Sequence, residues 1–132
     1  MPPSDEIEPQ RQPIHSDADF AHPNHPFALV VNVPLISMTP KNGSTEVWLG
    51  THNSTGLHDQ EGAHGDRASG RIKHKLLEER RNIRPPIQPT VPKGSIIVRD
   101  LRLWHGGMPN TSGDVRVMLA FSRSPSAGCA TR

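Results

Sequence analysis

Apolar positions are sparse along the chain and fall into short runs. Phe27 to Ser37 (Phe-Ala-Leu-Val-Val-Asn-Val-Pro-Leu-Ile-Ser) is a β-branched run of strand length, expected to be a buried strand. Thr39 to Ser44 contains Asn42-Gly43, which supplies the positive φ of a tight turn, and Thr45 to Gly50 then reads as a second strand. Residues 51–70 are rich in Gly, His, Asp, Asn and Ser and show no hydrophobic period; loops of that length are usually functional or mobile. Arg71 to Asn82 is expected to be helical. Ile72, Leu76 and Ile83 would mark its apolar side, Ser69 would be its N-cap, and Pro85-Pro86 would stop it. After a proline-rich link over 85–92, Lys93-Gly94 turns into Ser95 to Trp104, where Ile96, Ile97, Val98, Leu101 and Leu103 mark a strand. A Gly-, Pro- and Asn-rich connection over 106–114 leads to a last strand, Val115 to Phe121. Residues 1–11 and 122–132 carry no pattern and are expected to be a disordered lead-in and an unstructured tail, leaving 12–121 as the domain. A mostly β order with closely spaced turns suggests a sandwich or barrel.

Composition narrows the function classes. The 132 residues allow one domain, and a hydrophobic fraction of 33% with no tyrosine implies a thin core. The apolar stretch Phe27 to Ile36 is broken by Asn32 and Pro34 and falls short of the ~18 residues a membrane helix needs. The N-terminus, Met-Pro-Pro-Ser-Asp-Glu, has acid where a secretory leader has base, so a cytoplasmic protein without a membrane partner is expected. A net charge of +2 is too small to argue for nucleic acid, and the basic cluster from Arg71 to Arg84 is interleaved with Glu78 and Glu79, as on a solvated helix face. Cys129 alone supports neither an internal disulfide nor a cysteine zinc site. Eight histidines are the unusual feature, and the question is which of them sit at ligand spacing.

His15-Ser16-Asp17 is an H-x-D pair. Residues two apart on an extended segment emerge from one face, so this imidazole and carboxylate can form two legs of a metal site. His105 closes the run Ile96 to Trp104 just before Gly106-Gly107, where the absence of side chains lets backbone approach closely. Arg116 follows near the start of the last strand. If the strands over 96–104 and 115–121 pair, Arg116 lies near His105 and faces inward with Met118 and Ala120, while Val115, Val117, Leu119 and Phe121 pack on the opposite face. An inward arginine needs an anion, and its fork matches a carboxylate. Two histidines and one carboxylate with open positions describe the facial triad of non-haem Fe(II) oxygenases.

His15-x-Asp17, His105 and Arg116 together resemble the phytanoyl-CoA dioxygenase family of Fe(II)/2-oxoglutarate oxygenases. Further matches are Gln12 three residues before His15, the segment Asn42-Gly43-Ser44-Thr45 to Leu49-Gly50-Thr51-His52, which is similar to the family's N-G-x-T-x-x-x-P-G-S-H, and Trp104-His105-Gly106-Gly107. The resemblance spans about residues 12–121. It implies a mostly β fold, a double-stranded β-helix of jelly-roll or cupin type, here incomplete and with one inserted helix. It also implies Fe(II) held by His15, Asp17 and His105, 2-oxoglutarate as cosubstrate with its distal carboxylate on Arg116, and Gln12 and Thr45 helping to hold it. The implied reaction uses O2 to hydroxylate a small organic substrate while 2-oxoglutarate becomes succinate and CO2.

Blander roles compete for several residues. Trp48 and Trp104 are expected in the core, and His22, His25, His52, His58, His64 and His74 at the surface. Arg116 could instead pair with Asp114 or Asp100, Gln12 could belong to the loose N-terminus, and Thr45 could merely shape the turn. The sequence also departs from the family. Members usually carry a long stretch before the H-x-D, where this chain has residues 1–14, and Leu49-Gly50-Thr51-His52 replaces Pro-Gly-Ser-His. Strand-like segments are fewer than the roughly eight of a complete jelly roll, so apolar positions such as Leu29, Val31 and Val33 are expected to lack a covering layer. The alternative to an active enzyme is thus a non-catalytic truncated homologue that retains the metal motif.

Overall fold

The computed structural model describes residues 8–123; Met1–Ile7, Cys129 and the expected tail from Ser124 onward lie outside the described residues. Five short strands and one helix make up the regular structure: β1 (Leu29–Pro34), β2 (Glu46–Val47), α1 (His74–Ile83), β3 (Ile97–Asp100), β4 (His105–Gly106) and β5 (Met118–Arg123). They form an antiparallel three-stranded sheet in the order β3-β1-β5 and a separate antiparallel pair, β2-β4.

The order of the first sheet corrects an expectation. The segments over 96–104 and 115–121 do not pair with each other; β1 lies between them, with Val31 opposite Val98 on one side and Phe121 on the other. The long run Ser95 to Trp104 is strand only over Ile97–Asp100 and then turns toward β4. Asp100 accepts from the backbone N–H of Arg102 and forms a two-pronged ion pair with its guanidinium, while Leu103 N–H donates to the Asp100 carbonyl. This turn ends β3 and swings the chain into the second sheet, where His105 pairs with Val47.

Other boundaries move for local reasons. The turn at Asn42-Gly43 forms as expected, with Thr39 and Asn42 capping each other around a 3-10 turn and Gly43 at φ 82°. β2 is shorter than Thr45 to Gly50 because Gly50 adopts φ 84° and opens another 3-10 turn at Thr51–Asn53. The helix begins at His74, not Arg71, with Lys73 rather than Ser69 at its N-cap. Arg71 and Ile72 are drawn into bridges with His15 and Gln60, and the Ser69 hydroxyl donates to the Glu61 carbonyl while accepting from Arg71 N–H ahead of the helix. Ile83 is exposed, so the apolar side of the helix consists of Leu76 and Leu77. The last strand continues through Ser122 and Arg123, residues assigned from sequence to the tail. At the other end, Arg11 is tied to Glu46 at 2.8 Å, so the lead-in is anchored before residue 12.

The core does not lie under the valine-rich strand. It is a cluster of Ile14, Trp48, Ile72 and Trp104, with Leu76, Leu77 and Met108 packed against it, behind the β2-β4 pair. Both tryptophans are core residues, as expected. In the three-stranded sheet the buried residues are Val30, Asn32 and Pro34 of β1, while Ala120 and Ser122 beside them on β5 are exposed. The other face of the sheet carries Leu29, Val98, Leu119 and Phe121 in the open, with Val98 58% and Phe121 57% exposed. The expected packing of Val115, Val117, Leu119 and Phe121 on that side is therefore not found; each is exposed. Among the described residues, no helix is long and apolar enough to cross a membrane.

Candidate metal centre and ligand cavity

The segment carrying His15 is pinned on both sides. His15 and His105 exchange backbone hydrogen bonds at 2.9 and 3.0 Å, while Ser16 N–H donates to Gly70 and Ile72 N–H to Ile14. Gly106 permits this contact, since a Cβ there would stand 2.8 Å from the Ile14 side chain and 3.1 Å from the Gln12 carbonyl. The two imidazoles end up 4.3 Å apart between ring centres. Asp17, two residues on, places Oδ1 at 3.5 Å from His15 Nε2 and 3.6 Å from His105 Nε2. Among the described residues, His15, Asp17 and His105 are a group whose donor atoms all lie within 4.8 Å of one another.

Backbone carbonyls set the tautomers. His15 Nδ1 lies 2.9 Å from the Pro13 carbonyl and His105 Nδ1 2.9 Å from that of Leu103. A carbonyl only accepts, so each Nδ1 carries a proton and donates it, and Nε2 is the nitrogen each ring turns toward Asp17. Electrostatics divides the two rings. Burial, followed by the nearby Arg99 cation, pushes His105 down to about 4, so it is proton-free at neutral pH. The hydrogen bond to Asp17 holds His15 above the ordinary imidazole value of 6.5. Burial would raise Asp17, but its bond to His15 and the charges of His105 and Arg99 outweigh this and hold it well below the usual carboxylate range.

Both histidines line a cavity of about 350 Å³ between the two sheets. Gln12, Thr45 and Arg116, the residues implied from sequence to hold a cosubstrate, all line it too, together with Met38, Val91, Leu103, Met118 and others. Gln12 is not loose: its Oε1 accepts from Gly107 N–H at 2.9 Å, and its own N–H donates to the Gly107 carbonyl. Arg116 pairs with neither Asp114 nor Asp100. One nitrogen donates to the Gly43 carbonyl, and Asp100 is taken by Arg102. Gly43 sits so close to the 108–110 loop that a Cβ would stand 2.5 Å from the Met108 carbonyl oxygen. Arg116 thus comes near His105 across a cavity rather than along a shared strand ladder. A more polar cleft on the far side of His15 and Asp17 is lined by Ser69, Gly70 and Arg71.

Two residues of the site escaped the sequence reading. Arg99 of β3 bonds Asp17 Oδ2 at 2.8 Å through Nη2, and Asn32 of β1 accepts from its Nε at 3.3 Å. The signal for Asn32 was a single polar position within Leu29–Val33, whereas Arg99 stands beside Asp100 and near Arg102 and does not stand out in its run.

The model of the family described as phytanoyl-CoA dioxygenase matches residues 3–118 of this sequence. The chain belongs to that family. Solved structures agree on the fold, a double-stranded β-helix. EctD from S. alaskensis with 2-oxoglutarate and 5-hydroxyectoine has a TM-score of 0.66 at 23% identity, over 89% of this chain and 40% of that one. EvdO2 from Micromonospora carbonacea var. aurantiaca complexed with 2-oxoglutarate has a TM-score of 0.63 at 20% identity, over 90% of this chain and 48% of that one. AviO1 from Streptomyces viridochromogenes Tue57 has a TM-score of 0.63 at 22% identity, over 91% of this chain and 46% of that one. The chain spans less than half the length of these three structures.

Proposed function

We propose that this chain carries the metal and cosubstrate site of an Fe(II)- and 2-oxoglutarate-dependent dioxygenase, which oxidises a small organic molecule while 2-oxoglutarate is decarboxylated to succinate. The observation that supports it most strongly is the pair of imidazoles whose Nδ1 protons are committed to the Pro13 and Leu103 carbonyls, so that both Nε2 atoms face the same Asp17 oxygen. Hydrogen bonds that fix the tautomer of a ligating histidine are the usual companions of a metal site. The donor set of two imidazoles and one carboxylate fits Fe(II) with positions left open.

His15, Asp17 and His105 would hold the iron, which when bound supplies the redox chemistry with O2. The protein's part is binding and orientation. Arg116 offers its fork to the distal carboxylate of 2-oxoglutarate, with one nitrogen steadied by Gly43, and Gln12 and Thr45 line the same cavity. The apolar walls at Met38, Val91, Leu103 and Met118 keep water from the cosubstrate chain. The polar cleft beyond His15 and Asp17 is left for the oxidised substrate.

The direct test is Fe(II)-dependent succinate formation by the purified chain, with Arg116→Ala beside it. Losing a charge-assisted bidentate contact costs about 1.5–3 kcal/mol, so 2-oxoglutarate affinity is expected to fall roughly tenfold to a hundredfold while iron affinity stays within about twofold. Lysine at 116 restores only part of the loss, because a point charge cannot reproduce the fork. Unchanged 2-oxoglutarate binding in Arg116→Ala would assign the carboxylate to another residue. Metal bound at the triad with no succinate under any condition would favour the non-catalytic homologue.

Proton competition gives a second check. His105 is already neutral, so His15, held above 6.5, is the ligand that must shed a proton for metal to bind. Metal affinity is expected to be flat at alkaline pH and to fall about tenfold per unit below the raised His15 value, steepening as His105 begins to titrate near 4. Calorimetric titrations between about pH 8 and pH 5.5 read this slope. A dissociation constant that does not move over that range would remove His15 from the ligand set.

A further inference from the structure

Arg99 is a cation placed where a divalent metal would bind, which repels that metal unless the arginine gives something back. Its guanidinium makes two bonds inside the protein. Nε donates to Asn32 Oδ1 at 3.3 Å, Nη2 bonds Asp17 Oδ2 at 2.8 Å, and Nη1 is buried with no hydrogen-bond partner among the described residues. The arginine side chain is only 12% exposed, and Asn32 is buried on the neighbouring strand. It is therefore a braced group and not a surface charge. Arg99 belongs to β3 in the first sheet, while His105 belongs to the second, so the bond to Asp17 also links the sheet to the metal group.

The division of the Asp17 carboxylate is the important detail. Oδ1 faces both imidazoles and Oδ2 is occupied by Arg99. A carboxylate held by one oxygen can offer only the other to a metal, which keeps a further coordination position open. Arg99 lines the same cavity as His15, His105 and Arg116, with its Nη1 enclosed by protein, so the side chain is held in place by its bonds to Asn32 and Asp17.

We infer that Arg99 is the positioning residue of the metal centre, holding Asp17 to one-oxygen ligation through the bond to Oδ2. The inference rests on the proposed triad.

The test uses Co(II) as a visible, redox-stable probe in the full chain. Arg99→Lys keeps the charge and loses the fork; Arg99→Met loses both. Co(II) affinity is expected to fall about 10–100-fold in each, the usual cost of removing an outer partner of a ligand, with an altered Co(II) absorption spectrum and a metal-free melting temperature close to native in Arg99→Lys. Co(II) affinity unchanged in both variants, or tighter in Arg99→Met as simple charge repulsion requires, overturns the positioning role. His105→Ala run alongside separates the two levels: if it still binds Co(II) like the native chain, the triad itself is wrong, whereas its loss beside an unaffected Arg99→Lys condemns only the role of Arg99.

Discussion

Alanine at Asp17 or at His105 is expected to lower Fe(II) affinity by more than the roughly 10–100-fold that loss of an outer partner costs, because each removes one of only three donors. The two variants are expected to differ in stability. His105 is neutral at neutral pH, so its removal deletes a buried ring and its hydrogen bond to the Leu103 carbonyl without stranding a charge. Asp17→Ala leaves the 12%-exposed Arg99 cation without its partner, and breaking a buried pair by removing one member costs about 3–5 kcal/mol. Asp17→Asn keeps the shape and some hydrogen bonding, so it should be intermediate in stability while remaining as poor a ligand. Metal stabilises the native chain by about 2.7 kcal/mol at a hundredfold excess over the dissociation constant, and this increment should vanish in all three variants. Urea denaturation with and without Fe(II), under anaerobic conditions, reads both quantities. Native-like metal stabilisation in Asp17→Ala would break the triad assignment.

The parts of the site written in local sequence were legible. His15 and Asp17 share a face because they lie two apart in an extended segment, and Gly106 next to His105 allows the strand exchange with His15 that brings the imidazoles together. The Asn42-Gly43 turn was legible for the same reason, since its positive φ is a property of the dipeptide. What could not be read was anything decided by a distant partner. Ser69 looks like an N-cap from its neighbours alone, yet its hydroxyl is taken by Glu61 and the following residues by His15 and Gln60. Apolar spacing over Ser95–Trp104 suggests one strand, and only the Asp100–Arg102 pair reveals where it breaks. β1 inserts between β3 and β5 from more than sixty positions away, an order no hydrophobic pattern encodes. Arg99 was missed because charged residues such as Arg99, Asp100 and Arg102 are more often solvent-facing; its buried role depends on Asn32 and Asp17.

Trp48→Ala is expected to be the most destabilising single change in the core. Trp48 is fully buried, tilted against Trp104 at 6.3 Å, with the Arg81 guanidinium 5.2 Å from its ring. Its Nε1 donates to Glu46 at 3.0 Å, and that carboxylate also holds Arg11. Truncating a buried tryptophan typically costs about 3–5 kcal/mol, against a total stability of about 5–15 kcal/mol for a domain. In a core built from so few large side chains the surroundings cannot close the space easily, so the upper part of the range is expected. The loss should reach the metal centre, because Trp48 N–H donates to the Trp104 carbonyl immediately before His105. Fe(II) affinity is thus expected to weaken in Trp48→Ala even at temperatures where it remains folded. Phe121→Ala is the matched control, as an aromatic truncation on the open face of the three-stranded sheet, 57% exposed and remote from the triad. It should cost about 1 kcal/mol or less and leave metal affinity unchanged. Equal destabilisation by the two substitutions, measured by urea denaturation, would mean that the core does not lie behind the β2-β4 pair.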